Sequence, residues 1–183
     1  ELGGSDVFVV LDDADIEKAV AAGVEGRLSN AGQVCTGSKR FIVQKSVSDA
    51  FITGFVEGMK SAVMGDPLDE ATDLGPLSSE DALKTLTKQV EEAIQHGAKA
   101  VTGGKPADRT GFFYEPTVLT DVARDNPAFY QEFFGPVAQV FVVEDDDAVV
   151  ALANDSHFGL GGSIFSGDTD RARKLASRIE TGM

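Results

Sequence analysis

The feature that most constrains this chain is an alternation of short apolar runs with intervening stretches long enough to be helices. Val7-Phe-Val-Val-Leu11 is apolar and β-branched without a break, as expected of a strand buried on both faces. Asp15 can cap a helix from about Ile16 to Leu28, in which Ile16, Val20, Ala21 and Val24 fall at helical spacing. Phe41-Ile-Val43 reads as a second strand. Ser48 or Asp49 then opens a helix through about Val63 with Phe51, Phe55 and Met59 on one face, and Gly65-Asp-Pro67 ends it. A polar loop from Leu68 to Pro76 leads to a helix from about Glu80 to His96, stopped by Gly97. Short strands are expected at Ala100 to Thr102, Thr117 to Leu119 and Ala138 to Val143, with a Gly/Pro-rich loop from Gly103 to Pro116. A helix at Asp146 to Asn154, a strand at Gly162 to Phe165 and a helix at Thr169 to Glu180 complete the pattern. Strands joined through helices pair in parallel by right-handed crossovers, so the fold class is α/β, an open, mostly parallel sheet with flanking helices.

Charge and cysteine usage narrow the function. With 16 Lys and Arg against 30 Asp and Glu, the formal charge is −14, which opposes binding to nucleic acid and to anionic membranes. No apolar stretch approaches the roughly 18 residues of a membrane span, and no signal-peptide pattern opens the chain. A single cysteine forms no internal disulfide, so a reducing cytoplasm is the expected setting. The chain opens on Glu1-Leu-Gly-Gly4 without an initiator methionine and stops at Thr181-Gly-Met183, as expected of a piece of a longer protein.

Three constellations carry possible chemistry. Cys35 lies in Gly32-Gln-Val-Cys-Thr-Gly37, a polar, glycine-rich context poorly suited to a core position and open to close approach by a ligand. Lys39 and Arg40 follow it. Their charges would favour the thiolate, the attacking form of cysteine, or they pair with carboxylates elsewhere. Taken alone, Cys35 reads either as a reactive thiol or as a small packing residue. Glu1, leading Glu-Leu-Gly-Gly, reads by itself as a solvated terminal residue. In Tyr130-Gln-Glu-Phe-Phe-Gly-Pro-Val137, Glu132 by itself reads as an exposed charge, with Phe133 and Phe134 in the core.

Together, and in this order, the three motifs resemble those of the NAD(P)-dependent aldehyde dehydrogenase superfamily. Gly65-Asp-Pro67, Leu74-Gly-Pro76, Gly103-Gly104, Pro116-Thr-Val-Leu119 and Ala153-Asn154 followed by Phe158-Gly-Leu160 extend the resemblance over the whole chain. The wording of Gly32-Gln-Val-Cys35, Lys39-Arg-Phe-Ile-Val43 and Phe134-Gly-Pro-Val-Ala138 is similar to that of bacterial succinate-semialdehyde dehydrogenases.

The resemblance implies oxidation of an aldehyde, succinate semialdehyde or a similar short semialdehyde, with NAD or NADP and no metal ion. Cys35 would be the nucleophile, forming a thiohemiacetal and then a thioester, and its backbone N–H would serve the oxyanion hole. Glu1 would be the base that activates water, which points to a carboxylic acid product rather than acyl transfer to coenzyme A. Glu132 would hold the nicotinamide ribose, Phe134 would lie beside the nicotinamide, and the Leu2 backbone would meet its carboxamide. For an anionic substrate, Arg27 and Lys39 are the cations at hand, while Arg40, at the head of a strand, reads equally as structural.

By the same resemblance, residues 1–183 are the catalytic, cysteine-bearing domain. The nucleotide-binding domain and a C-terminal segment that supports a homo-oligomer, dimer or tetramer, lie elsewhere. Gly159-Leu-Gly-Gly162 does not have the spacing of a dinucleotide-binding turn. The isolated piece is therefore expected to bind NAD(P) weakly and to lack turnover. Two other readings stand beside this one: a cysteine-dependent acyl-transfer or esterase activity, and a non-catalytic α/β assembly domain.

Overall fold

The computed structural model describes residues 2–182. Strand β1 (Val7–Val10) is followed by helix α1 (Ile16–Leu28), a 3-10 turn at Ser29–Gly32, strand β2 (Arg40–Gln44) and helix α2 (Lys45–Ser61). Helix α3 (Glu80–Gln95), strands β3 (Lys99–Thr102) and β4 (Thr117–Thr120), and a 3-10 turn at Pro127–Tyr130 come next. Strand β5 (Val137–Val143), helix α4 (Asp146–Asn154), strand β6 (Gly162–Phe165) and helix α5 (Thr169–Ala176) complete the order. The strands form one sheet in the order β3-β4-β5-β2-β1-β6. All its pairs are parallel except β3 with β4, so the open, mostly parallel α/β sheet expected from the alternation is the one observed.

Side-chain parity along the strands separates two cores. Phe8, Val10, Phe41 and Val43 face α1, α2 and α3, and there Phe41, Phe51 and Phe55 stack in a buried aromatic column. Val7, Val9, Leu11 and Ile42 face the other way, against Val149 and Ala153 of α4 and Leu175 of α5. Helices thus cover both faces, as a parallel sheet requires.

Local departures from the expected pattern have physical causes. Helix α2 begins at Lys45, directly from β2. Ser48 lies inside it and donates its hydroxyl to the Lys45 carbonyl, rather than capping it. Helix α5 ends at Ala176, short of Glu180, because the Asn154 amide captures the chain beyond it. Asn154 Nδ2 donates to the Arg178 carbonyl at 2.9 Å, and its Oδ1 accepts from the Glu180 N–H at 2.9 Å. On α1 the fully buried stripe is Ala19, Gly23 and Arg27, whereas Ala21 is exposed. Val20 and Val24 pack instead on Gly54 and Gly58 of α2, where the missing side chains admit them.

Candidate active site

Four loops that enter neighbouring strands form the site. Glu132 to Pro136 lead into β5, Gln33 to Lys39 into β2, Gly3 to Asp6 into β1 and Phe158 to Gly161 into β6. The order β5-β2-β1-β6, all parallel, lines these loops up along one edge of the sheet, the edge of the strands' amino ends. In many open α/β folds the ligand sits at the opposite, carboxyl edge.

The cysteine loop is held from beneath by buried cations. The Arg27 guanidinium, fully buried, donates to the carbonyls of Gly32 at 2.6 Å and Ser38 at 2.8 Å. Burial pulls its pKa down to about 10, so it stays charged at neutral pH. Asn30, Ala31 and Gly32 all adopt left-handed backbone (φ +49°, +53° and +73°), which swings the chain out of α1. Gly32 presses on the backbone of Gly135, with no room for a side chain between them. The loop of Cys35 and the Gly-Pro turn after Phe134 are thereby in direct contact, and Cys35 itself is half-buried with a free thiol.

Lys39 ties these parts together. Its fully buried ammonium donates to the carbonyls of Val34 (2.7 Å) and Cys35 (2.9 Å) and pairs with Glu132 Oε1 at 3.0 Å. That same carboxylate oxygen accepts the Gly4 N–H at 3.1 Å. Among the described residues, Glu132 Oε2 accepts no hydrogen bond, and it lies over Gly3, whose φ is +84°. Burial lowers the Lys39 pKa, while the hydrogen bond it donates to Glu132 opposes that shift. Asp6 completes the floor: its Oδ1 accepts the Gly161 N–H at 3.0 Å, and burial raises its pKa.

The residues expected from the motifs fall as follows. Cys35 and Glu132 are brought together through Lys39 and Gly4. Phe134, half-buried, borders a cleft of about 670 Å³ together with Gln33, Gly75, Pro76 and Ser78, while Phe133 is fully buried. The Leu2 side chain is exposed and touches none of these groups. Glu1 lies outside the described residues. Arg27 and Lys39 are not cations at a pocket mouth, because both are buried and committed to carbonyls and Glu132. Arg40 turns away from Cys35 and caps the end of α4, donating to the Leu152 and Ala153 carbonyls. The roles of Gly3 and Gly4 in the site, and the grip of Lys39 on the Val34 and Cys35 carbonyls, went unread in the sequence, whereas its pairing with a carboxylate is one of the two readings its charge offered. Charged residues at the head of a buried strand, which must find partners inside, were the available signal.

The sequence profile of the aldehyde dehydrogenase family matches residues 1–183. The chain is 50% identical over 183 residues to a succinate-semialdehyde dehydrogenase [NADP(+)] of Deinococcus radiodurans, covering 100% of this chain and 38% of that protein. It is 46% identical over 182 residues to the succinate semialdehyde dehydrogenase [NAD(P)+] Sad of Escherichia coli K12, covering 100% of this chain and 39% of the relative. The crystal structure of a succinic semialdehyde dehydrogenase from Streptococcus pyogenes in complex with NADP+ superposes with a TM-score of 0.97 at 45% identity, over 100% of this chain and 40% of that one. The chain thus spans about two fifths of the length of these relatives. By its sequence profile, its relatives and its fold, this chain belongs to the aldehyde dehydrogenase family.

Proposed function

We propose that the whole protein carrying this chain oxidises succinate semialdehyde, or a similar short semialdehyde, to the carboxylic acid with NADP+ or NAD+. Residues 1–183 would be its cysteine-bearing catalytic part. The observation that carries this reading is the convergence of the Cys35 loop and the Glu132 carboxylate on one buried ammonium beside Gly3 and Gly4. The choice of substrate is supported by the names of the relatives.

Cys35, as thiolate, adds to the aldehyde carbon. A C–S bond forms, and the carbonyl oxygen takes up the electron pair as an oxyanion beside the Cys35 backbone N–H. A bound nicotinamide supplies the acceptor for the hydride that leaves this carbon, which becomes a thioester. Water, deprotonated by Glu1, then attacks the thioester, and the thiolate departs with its electron pair, releasing the acid. Sulfur suits both halves, being a strong nucleophile and a good leaving group.

The residues present fit the nicotinamide-ribose end of the cofactor. Glu132 has one oxygen locked by Lys39 and Gly4, and the other, which accepts no hydrogen bond among the described residues, would receive sugar hydroxyls. The glycine at position 3 leaves the approach open, since a Cβ there would lie 2.7 Å from Oε2. Phe134 offers a half-exposed ring at the adjoining cleft. The test is an assay of the purified whole protein against a panel of semialdehydes with both cofactors. Reduced nicotinamide should form with succinate semialdehyde, and Cys35→Ser should abolish it. An inactive wild type across the panel, or an active Cys35→Ser variant, would overturn the reading.

A further inference from the structure

We infer that Lys39 is a positioning residue that couples the nucleophile loop to the cofactor carboxylate, its one ammonium orienting the peptide units around Cys35 while holding Glu132. This deepens the proposed function and rests on its assignment of Cys35 and Glu132. An ammonium has three donors, and here each has its own acceptor: the Val34 carbonyl, the Cys35 carbonyl and Glu132 Oε1. None of the side chain is exposed, and Glu132 is only 17% exposed. Burying such a pair is weak as a source of stability, because desolvation offsets the attraction, whereas its directional bonds specify one arrangement.

The connection closes into a ring. Glu132 Oε1 also accepts from the Gly4 N–H, and Gly4 in turn abuts the Cys35 carbonyl that Lys39 holds. A lysine present only to satisfy two loop carbonyls would not need Glu132. A lysine present only to neutralise Glu132 would not need the carbonyls on either side of the cysteine peptide. Joined as they are, a change at the carboxylate displaces the ammonium and with it the Cys35 backbone, although Glu132 makes no hydrogen bond to Cys35.

The deciding measurement is the rate of iodoacetamide alkylation of Cys35 in the whole protein, without cofactor or aldehyde. Glu132→Gln keeps the shape of the side chain and an acceptor for Gly4 but loses the ion pair. It should change the alkylation rate by about threefold or more, the scale of coupling within one hydrogen-bonded network. Lys39→Met should shift both the alkylation rate and the NADP+ dissociation constant by about tenfold, as expected when a charge-assisted bond is lost. Lys39→Arg should restore part of both. The double variant should alkylate like Lys39→Met alone.

An unchanged alkylation rate in a folded Glu132→Gln protein, or additive effects in the double variant, would overturn the coupling. Should Lys39→Met fail to fold, Glu132→Gln decides alone. Aldehyde oxidation is read separately: a wild type without it sinks the proposed function, while the alkylation comparison still reports on the coupling.

Discussion

Gly4 lies against the carbonyl of Cys35 with no room for a side chain: a methyl group on Gly4 would overlap that oxygen and come within 3.2 Å of Leu160 Cδ2. The obstacle is backbone, which cannot rotate away. Gly4→Ala should therefore push the β1 entry and the cysteine loop apart, at about 1–3 kcal/mol for an overpacked position. A displacement of about 1 Å at a nucleophile is enough to lower turnover by about a hundredfold. Thermal unfolding and Cys35 alkylation of the variant read the two effects. A protein that melts and alkylates like the wild type would contradict the close approach.

Two glycines near the end of α1 separate backbone need from mere absence of a side chain. Gly32 has φ +73°, and a methyl group there would overlap the Gly135 backbone, whereas one on Gly26 meets nothing within 4 Å. Gly32→Ala combines a strained conformation with a clash and should cost about 2–4 kcal/mol. Gly26→Ala, inside a helix, should gain about 0.5–1 kcal/mol. Denaturant titration of the pair should give opposite signs, and two equal midpoints would show that the turn at Gly32 tolerates a side chain.

How much of this was legible beforehand differs by element. Phe51, Phe55 and Met59 announced the buried face of α2 because their bulk and spacing report a helix directly, and all three are fully buried. Helix α1 was harder. Its central core position is Gly23, which meets Phe41 and Phe55, and a glycine carries no hydrophobic signal. Each site motif could be seen to precede an apolar run. Their meeting depends on the spatial order β5-β2-β1-β6, which non-local pairing decides. The direction of Lys39 and Arg40 was illegible for a similar reason: adjacent residues entering a strand point to opposite faces, one toward Glu132 and the other toward the end of α4.

Arg27 and Arg40, buried cations that hold different parts of the fold, have different expected phenotypes. Arg27 holds the Gly32 and Ser38 carbonyls on either side of Cys35, so Arg27→Met leaves buried acceptors unpaired within the cysteine loop. Each such acceptor costs about 1–3 kcal/mol. Arg40→Met leaves the Ala153 carbonyl of α4 unpaired instead and strips the Leu152 carbonyl of one of its two donors, the other being the Asp155 N–H. Both variants should lose stability. Amide exchange should accelerate around residues 32–38 in the first and around the end of α4 in the second. Identical exchange patterns would refute the division of labour.

Two carboxylates should give opposite pH signatures. Burial raises the Asp6 pKa, against the Gly161 N–H and Lys39, so the native state holds this proton more tightly than the unfolded chain does. Its contribution is fully present below the ordinary carboxylate range and is lost as pH rises through the raised value. Asp146 is the reverse. Hydrogen bonds from Arg171, at 2.6 Å to Oδ1 and 3.0 Å to Oδ2, are the largest cause of its lowered pKa. Its contribution is present above the ordinary range and is lost as pH falls through the lowered value. Asp6→Asn keeps an oxygen for the Gly161 N–H, and Asp146→Asn keeps one for Arg171, so each removes the charge with little change of shape. Relative to wild type, Asp6→Asn should gain in melting temperature from acid to neutral pH. Asp146→Asn should lose over the same interval. Melting curves across that range test the pair: two differences that run parallel with pH would mean that the environments of these carboxylates are not distinct as described.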